Sequence, residues 1–321
     1  MNFTNRGESH IRDLRKFVVN SRKFAIFMFD FIRYRNIFFI ISGVALTASI
    51  LALIFFGFRL GIDFNGGSMM EVEYQGQRPA NPEIQKILAE LDLGEIKVQV
   101  SGDQGVILRF KEISEETHQQ ILSSLGNVEE KRFESIGPVI GQELKTKAKW
   151  AVFLALLAII FYIVWAFRKI AKLFGQGESW RYGFGAIFAL AHDVLIVFGF
   201  FAFMGHFKGM EIDAAFIIAI LTVLGYSVND TIVVYDRIRE NLLVHKFKTL
   251  TQTVNASINE TLIRSLNTSL TTIFALLAVC FFGGDSIRGF ILAMIIGIAV
   301  GTYSSIAVAS QFLLFKRIKI K

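Results

Sequence analysis

Four residues of this chain are ionisable and stand where ionisation is expensive. Asp230 follows Asn229 in the run Gly225-Tyr226-Ser227-Val228-Asn229-Asp230-Thr231-Ile232-Val233-Val234-Tyr235-Asp236-Arg237, inside an apolar stretch of about Ile212–Val234. His192 and Asp193 sit together near the middle of another apolar stretch, Tyr182–Met204, and Arg264 opens a third that ends at Gly283-Gly284. An Asp at the centre of a membrane helix costs about 2.5–3.5 kcal/mol on insertion scales, so an intramembrane acid reads by default as a functional site with a partner. The chemistry open to these residue types is proton exchange. Asp230 reads as such a site or, more plainly, as a helix-end acid at the membrane surface. Against the plainer reading, Thr231–Val234 adds another apolar turn beyond it.

Arg264 is the candidate partner of Asp230. Helices four and five would be antiparallel, which puts both residues in the same half of the bundle. Arginine stays protonated even when buried, so it could hold Asp230 ionised or release it to take a proton. The alternative is a surface pair with Glu260, one turn earlier. Thr268, Thr271 and Thr272 extend a polar face along the same helix, suited to a water-lined path or to interhelical hydrogen bonds. His192-Asp193 could relay protons, coordinate an ion or brace two helices. Gly297 and Gly301 have the small-xxx-small spacing of close helix packing, with Ser304 and Ser305 on the same face.

Other chemistries find little support. Cys280 is the one cysteine, so neither an internal disulfide nor a cysteine metal site is expected. His and Cys do not cluster, and neither metal nor cofactor is expected. Gly66-Gly67 lacks a following Lys-Ser/Thr, so no phosphate-binding loop is present and ATP hydrolysis by that route is not expected. The chain is not expected to be an enzyme. The net charge of +7 could suggest nucleic acid, but the basic residues gather beside span ends, as a membrane orientation signal requires.

Positioning these residues takes six membrane helices. Apolar residues make up 53% of the 321, gathered in blocks longer than the roughly 18-residue transmembrane threshold. The three prolines, Pro79, Pro82 and Pro138, all lie outside those blocks. The spans read as 37–57, about Trp150–Phe167, then the third, fourth and fifth stretches above, and about Phe290–Phe315. Residues 1–36 carry Arg12, Arg15, Lys16, Arg22, Lys23, Arg33 and Arg35 with phenylalanines at helical spacing. They read as an amphipathic cytoplasmic leader or as the basic flank of the first span. Basic residues after the second span and in the tail 316–321 place both termini in the cytoplasm.

Residues 58–147 form a polar, exported insert with its own periodicities. Met70, Val72 and Tyr74 alternate with Glu71, Glu73 and Gln75, a half-buried strand. Pro82–Leu91 shows a helical apolar face, and Ile96–Val100 and Val106–Phe110 alternate around a Ser101–Gly105 turn. Ser114 caps a helix that ends before Gly126, and Val128–Ile136 is a weaker last strand. The order βαββαβ predicts a ferredoxin-like α+β domain between the first and second spans.

Four runs resemble the SecD/SecF family of protein-export membrane proteins, on its SecF side. They are Gly61-Ile62-Asp63-Phe64-Asn65-Gly66-Gly67, His192-Asp193, the stretch GYSVNDTIVVYDRIREN from Gly225 to Asn241, and Arg264-Ser265-Leu266-Asn267-Thr268-Ser269. A lone GG or HD is weak; the long run with the others in order is specific. The resemblance implies the resistance–nodulation–division superfamily, with twelve core spans in two related halves and proton flow coupled to movement of exported domains. SecD would supply the other half. Asp230 and Arg264 match residues implicated in proton passage, with Asn229, Asp193 and His192 as further relay candidates; the matching partner acid would lie on SecD. The implied function is proton-motive-force-driven assistance of preprotein translocation through SecYEG, on the periplasmic side of a bacterial inner membrane. Other readings are a non-transporting assembly or chaperone subunit, or half of a small-molecule proton antiporter.

Overall fold

The computed structural model describes residues 29–168, 176–244 and 246–315, apart from the side chains at 176–179, 285 and 286. The expected leader up to residue 28 and the basic tail at 316–321 lie outside the described residues.

Six helices are long and apolar enough to cross a membrane. They are α1 (Arg35–Phe56), α5 (Pro138–Ala166), α6 (Gln176–Lys208), α7 (Ala214–Leu243), α8 (Leu250–Phe282) and α9 (Asp285–Ser304). A π-helical turn, Ser305–Ala309, continues α9 into the short α10 (Ser310–Phe312). Several helices outrun their apolar segments. Helix α5 starts at Pro138, with proline in its first turn where no N–H is needed, and α8 starts at Leu250 behind a Thr249 cap. Hydropathy marks where lipid would begin, whereas the polar first turns are satisfied as helix outside it.

Helices α6, α7 and α9 form the centre. In their apolar windows 44%, 50% and 61% of residues are buried, against 11%, 6% and 11% for α1, α5 and α8. The outer helices therefore present most of their apolar side chains, such as Ile54, Phe55, Phe274 and Phe281, to the surroundings. The inner core is built from Ala189, Val197, Phe201, Phe216, Ala219, Ile220 and Ala307.

A second core belongs to the sheet domain. Strands β1 (Gly67–Tyr74), β2 (Lys97–Ser101), β3 (Gly105–Phe110) and β4 (Val128–Ile136) pair antiparallel in the order β2-β3-β1-β4. Helices α3 (Asn81–Leu88) and α4 (Glu115–Leu125) cover one face. Met70, Val72, Val106, Leu108 and Phe110 meet Ile84, Leu88, Ile121 and Leu125 there. Alternation sends Met69, Ile107, Arg109 and Arg132 to the opposite face, toward the ends of the spans. Ser114 accepts a hydrogen bond from Thr117 N at 3.5 Å, the expected cap of α4.

Between α1 and β1 lies a single helical turn, α2 (Ile62–Asn65), bracketed by glycines and not anticipated from periodicity. Gly66 and Gly67 take φ of +77° and +124°, and a Cβ on either would lie 2.8 Å from Pro138 Cα or Phe110 O. Both positions thus demand glycine by backbone conformation and by space. They bring the start of α5 and the end of β3 against the same turn. Gly66→Ala and Gly67→Ala are each expected to destabilise the protein by about 1–3 kcal/mol. The measurement is the unfolding midpoint in detergent. Gly76→Ala, where nothing lies within 4 Å of the added carbon, is the neutral control.

Candidate functional site

Two buried acids face each other across the central helices through a pair of adjacent serines. His192 and Asp193 on α6 are 2% and 0% exposed, and Asp230 on α7 is 5% exposed. Asp193 Oδ1 lies 2.9 Å from His192 Nδ1. Its Oδ2 accepts from Ser227 Oγ on α7 at 2.6 Å and from Ser304 Oγ on α9 at 2.8 Å. Asp230 Oδ2 accepts from Ser305 Oγ at 3.2 Å. Ser265 Oγ on α8 is buried beside the same carboxylate without completing a well-formed hydrogen bond. Consecutive helical residues point about 100° apart, so Ser304 and Ser305 can serve acids on two different neighbours.

The π-helical turn begins at Ser305, and such turns frequently mark functional sites. Tyr235 OH, on α7, donates to the Ala309 carbonyl at its end, at 2.9 Å. The close approach of α9 to α7 rests on small residues. A Cβ on Gly297 would lie 2.3 Å from Val223 Cγ2, and one on Gly301 would lie 2.8 Å from Ser227 Cβ. Gly301 therefore leaves the space in which Ser227 reaches Asp193. His192 Nε2 is buried with no hydrogen-bond partner among the described residues, and the ring stacks toward Tyr303 at 6.3 Å between centroids.

The expected Asp230–Arg264 pair is not formed. Arg264 is exposed, and among the described residues it bridges neither Asp230 nor Glu260. Glu260 instead accepts from Arg237 Nε at 2.6 Å, Asn241 Nδ2 at 2.9 Å and Lys246 Nζ at 2.6 Å. The reason is helical phase. Thr261, Ser265 and Ser269, four residues apart, point α8's buried stripe at the bundle, which turns Arg264 outward and puts Ser265 beside Asp230. Asn229 is exposed as well, as are Thr268 and Thr271. Thr272 does bond across helices, meeting Tyr226 OH at 3.0 Å. The sequence-expected residues thus divide into an enclosed set, His192, Asp193 and Asp230, and an outward set, Asn229 and Arg264. Among the described residues no group of three or more His, Cys, Asp or Glu could hold a metal. The hydroxyls of Ser227, Ser304 and Ser305 were the missed partners; hydroxyls flanking small residues in an apolar span were their signal.

The glycine-rich motif serves the junction of sheet domain and bundle. Gly61 N donates to Ile212 O and Ile212 N to Arg59 O, both at 2.8 Å. Asp63 Oδ2 accepts from Ala214 N at 2.6 Å, at the start of α7. Arg109 Nε meets Glu211 Oε2 at 3.0 Å. Burial raises the pKa of Glu211 above the usual carboxylate range, opposed by Arg109, Lys97 and Arg59. Burial also raises that of Asp213; its hydrogen bond from Phe216 N opposes the shift, and nearby Asp63 adds to it.

Comparison with known proteins agrees on one family. A family model described as "Protein export membrane protein SecD/SecF, C-terminal" matches residues 117–319, and one described as "SecD/SecF GG Motif" matches residues 51–77. The chain is 45% identical to the protein translocase subunit SecF of Thermobaculum terrenum, over 89% of this chain and 93% of that one. It is 37% identical to the SecF of Anaerolinea thermophila, over the same shares. The crystal structure of SecDF, a translocon-associated membrane protein from Thermus thermophilus, is similar with a TM-score of 0.77 and 32% identity, over 89% of this chain. The chain spans 38% of that SecDF chain.

The packing at Gly301 gives a direct test. Gly301→Ala is expected to cost about 1–3 kcal/mol by forcing α9 and α7 apart. Gly225→Ala, on the open face of α7 with nothing within 4 Å, should be neutral or stabilising. Chemical denaturation of both variants in detergent compares the two.

Proposed function

This chain belongs to the SecD/SecF family of protein-export membrane proteins, and we propose that it works as the SecF half of a proton-driven SecD–SecF complex. In this reading it sits in a bacterial inner membrane with both termini in the cytoplasm and the sheet domain in the periplasm. It assists preprotein translocation through SecYEG from that side. It is not an enzyme, and the proton-motive force is its energy source.

The observation that carries the reading is the setting of Asp230. The carboxyl is enclosed by three helices, with serine hydroxyls as its neighbours and no ion-pair partner among the described residues. Hydroxyls donate to a carboxylate and accept from a carboxylic acid, so the site accommodates both protonation states. A fixed cation would favour the ionised form alone. Asp193, with His192 and two serines, supplies a second such acid a short distance across the bundle. Arg264 and Asn229 face outward, where a carboxylate of SecD would complete a proton path between the two halves.

A force of 150 mV delivers roughly 3.5 kcal/mol per proton, enough to shift a two-state packing by a few hundredfold. Asp230→Asn keeps size and hydrogen bonding but removes the titration. It is expected to assemble normally with SecD and to abolish gradient-dependent stimulation of preprotein translocation in membrane vesicles. Undiminished stimulation would reduce the buried acids to packing devices, as in an assembly subunit.

A further inference from the structure

The contacts of Asp63 and Arg109 lack an explanation in the proton reading. Helix α7 already has its own cap, since Asp213 Oδ1 accepts from Phe216 N at 2.7 Å. A second acid brought to the same helix end from 151 residues away is not needed to terminate the helix, and it adds repulsion with Asp213. What Asp63 does is tie the turn that leads directly into β1 to the first residue of α7. Arg109 on β3 ties the open face of the sheet to Glu211, in the loop just before α7, through a half-buried pair. Its Nη1 is braced by Gln99 Oε1 on β2 at 2.9 Å. Beside these contacts a cavity of about 730 Å³, lined by Met69, Ile107, Arg132, Lys208 and Met210 among others, separates sheet from spans. Among the described residues, the polar ties between the sheet domain and the start of α7 are thus few and localised.

Helix α7 then runs unbroken to Leu243, and Asp230 lies sixteen residues past Ala214, about 24 Å along the axis. Among the described helices with ends near the sheet domain, α1 and α5 are joined to it by the chain, whereas α7 carries the buried acid and is tied to it by side chains at its start and by two backbone bonds at Ile212, just before it. Building on the proton-driven reading, we infer that Asp63 and the Arg109–Glu211 pair form a coupling joint. Through it, repacking of α7 at Asp230 moves the sheet domain. All three are positioning residues; none handles the proton.

The test uses the full chain assembled with its SecD half and the translocon in vesicles. Proton uptake is followed with a pH-sensitive dye, alongside gradient-stimulated preprotein translocation. Asp63→Ala, Arg109→Glu and Glu211→Arg are each expected to keep proton uptake while stimulation falls about fivefold, the factor by which loss of a contact worth about 1 kcal/mol shifts a two-state equilibrium. The double variant Arg109→Glu with Glu211→Arg restores stimulation, as does Asp63→Asn, which keeps an acceptor for Ala214 N–H. Stimulated wild type with neutral single variants overturns the joint alone. So does parallel loss of uptake and stimulation without rescue, which marks a merely structural contact. An unstimulated wild type overturns the proton-driven reading itself, and the joint with it.

Discussion

A carboxyl group inside an apolar bundle needs polar neighbours, and the centre of this protein is arranged to supply them. Asp193 and Asp230 lie on different helices, and each draws on α9 for a hydroxyl. That requirement fixes how closely α9 and α7 approach, hence glycine at 297 and 301. It also fixes where serine must appear in an otherwise apolar helix. The three inner helices are held by these contacts together with ordinary apolar packing, while α1, α5 and α8 wrap them with side chains suited to lipid.

Much of this was legible in the sequence, because each signal had a local cause. Strand alternation in the insert reports one buried face, and the observed core side chains Met70, Val72, Val106 and Leu108 are those that alternate. Asp230 announced itself as an acid in an apolar run. Arg264 misled for a physical reason. Hydropathy and antiparallel order fix its depth in the bundle, but not the direction in which it points around the helix axis. The same apolar signal is produced by residues facing lipid and by residues facing protein, so the phase of α8 emerges only once Thr261, Ser265 and Ser269 are seen packed. The π-helical turn in Ser305–Ala309 left no mark in residue types at all.

The outward set is as informative as the enclosed one. Arg264, Asn229, Thr268 and Thr271 form a polar face on helices that otherwise look suited to hydrocarbon. Thr268 and Thr271 donate to carbonyls of their own helix, which hides part of their polarity, but an exposed guanidinium has no such remedy. Such a face is compatible with a bilayer when a second bundle covers it. The 38% share of the SecDF chain spanned by this one is consistent with a larger assembly around the same helices.

The serine neighbours of Asp230 carry a consequence for timing. Adding or removing a proton beside an arginine would oblige a long side chain to swing away and return. Beside Ser305 the adjustment is a rotation about one C–O bond, after which the oxygen accepts where it had donated. Side-chain torsions of this kind settle in picoseconds to nanoseconds, whereas helix rearrangements take microseconds to milliseconds. In the proton-driven reading proposed above, hydroxyl reorientation would therefore not be the step that limits exchange at this acid. In that reading the slow variable would be the packing of whole helices, which the buried carboxyl would bias thermodynamically and not trigger.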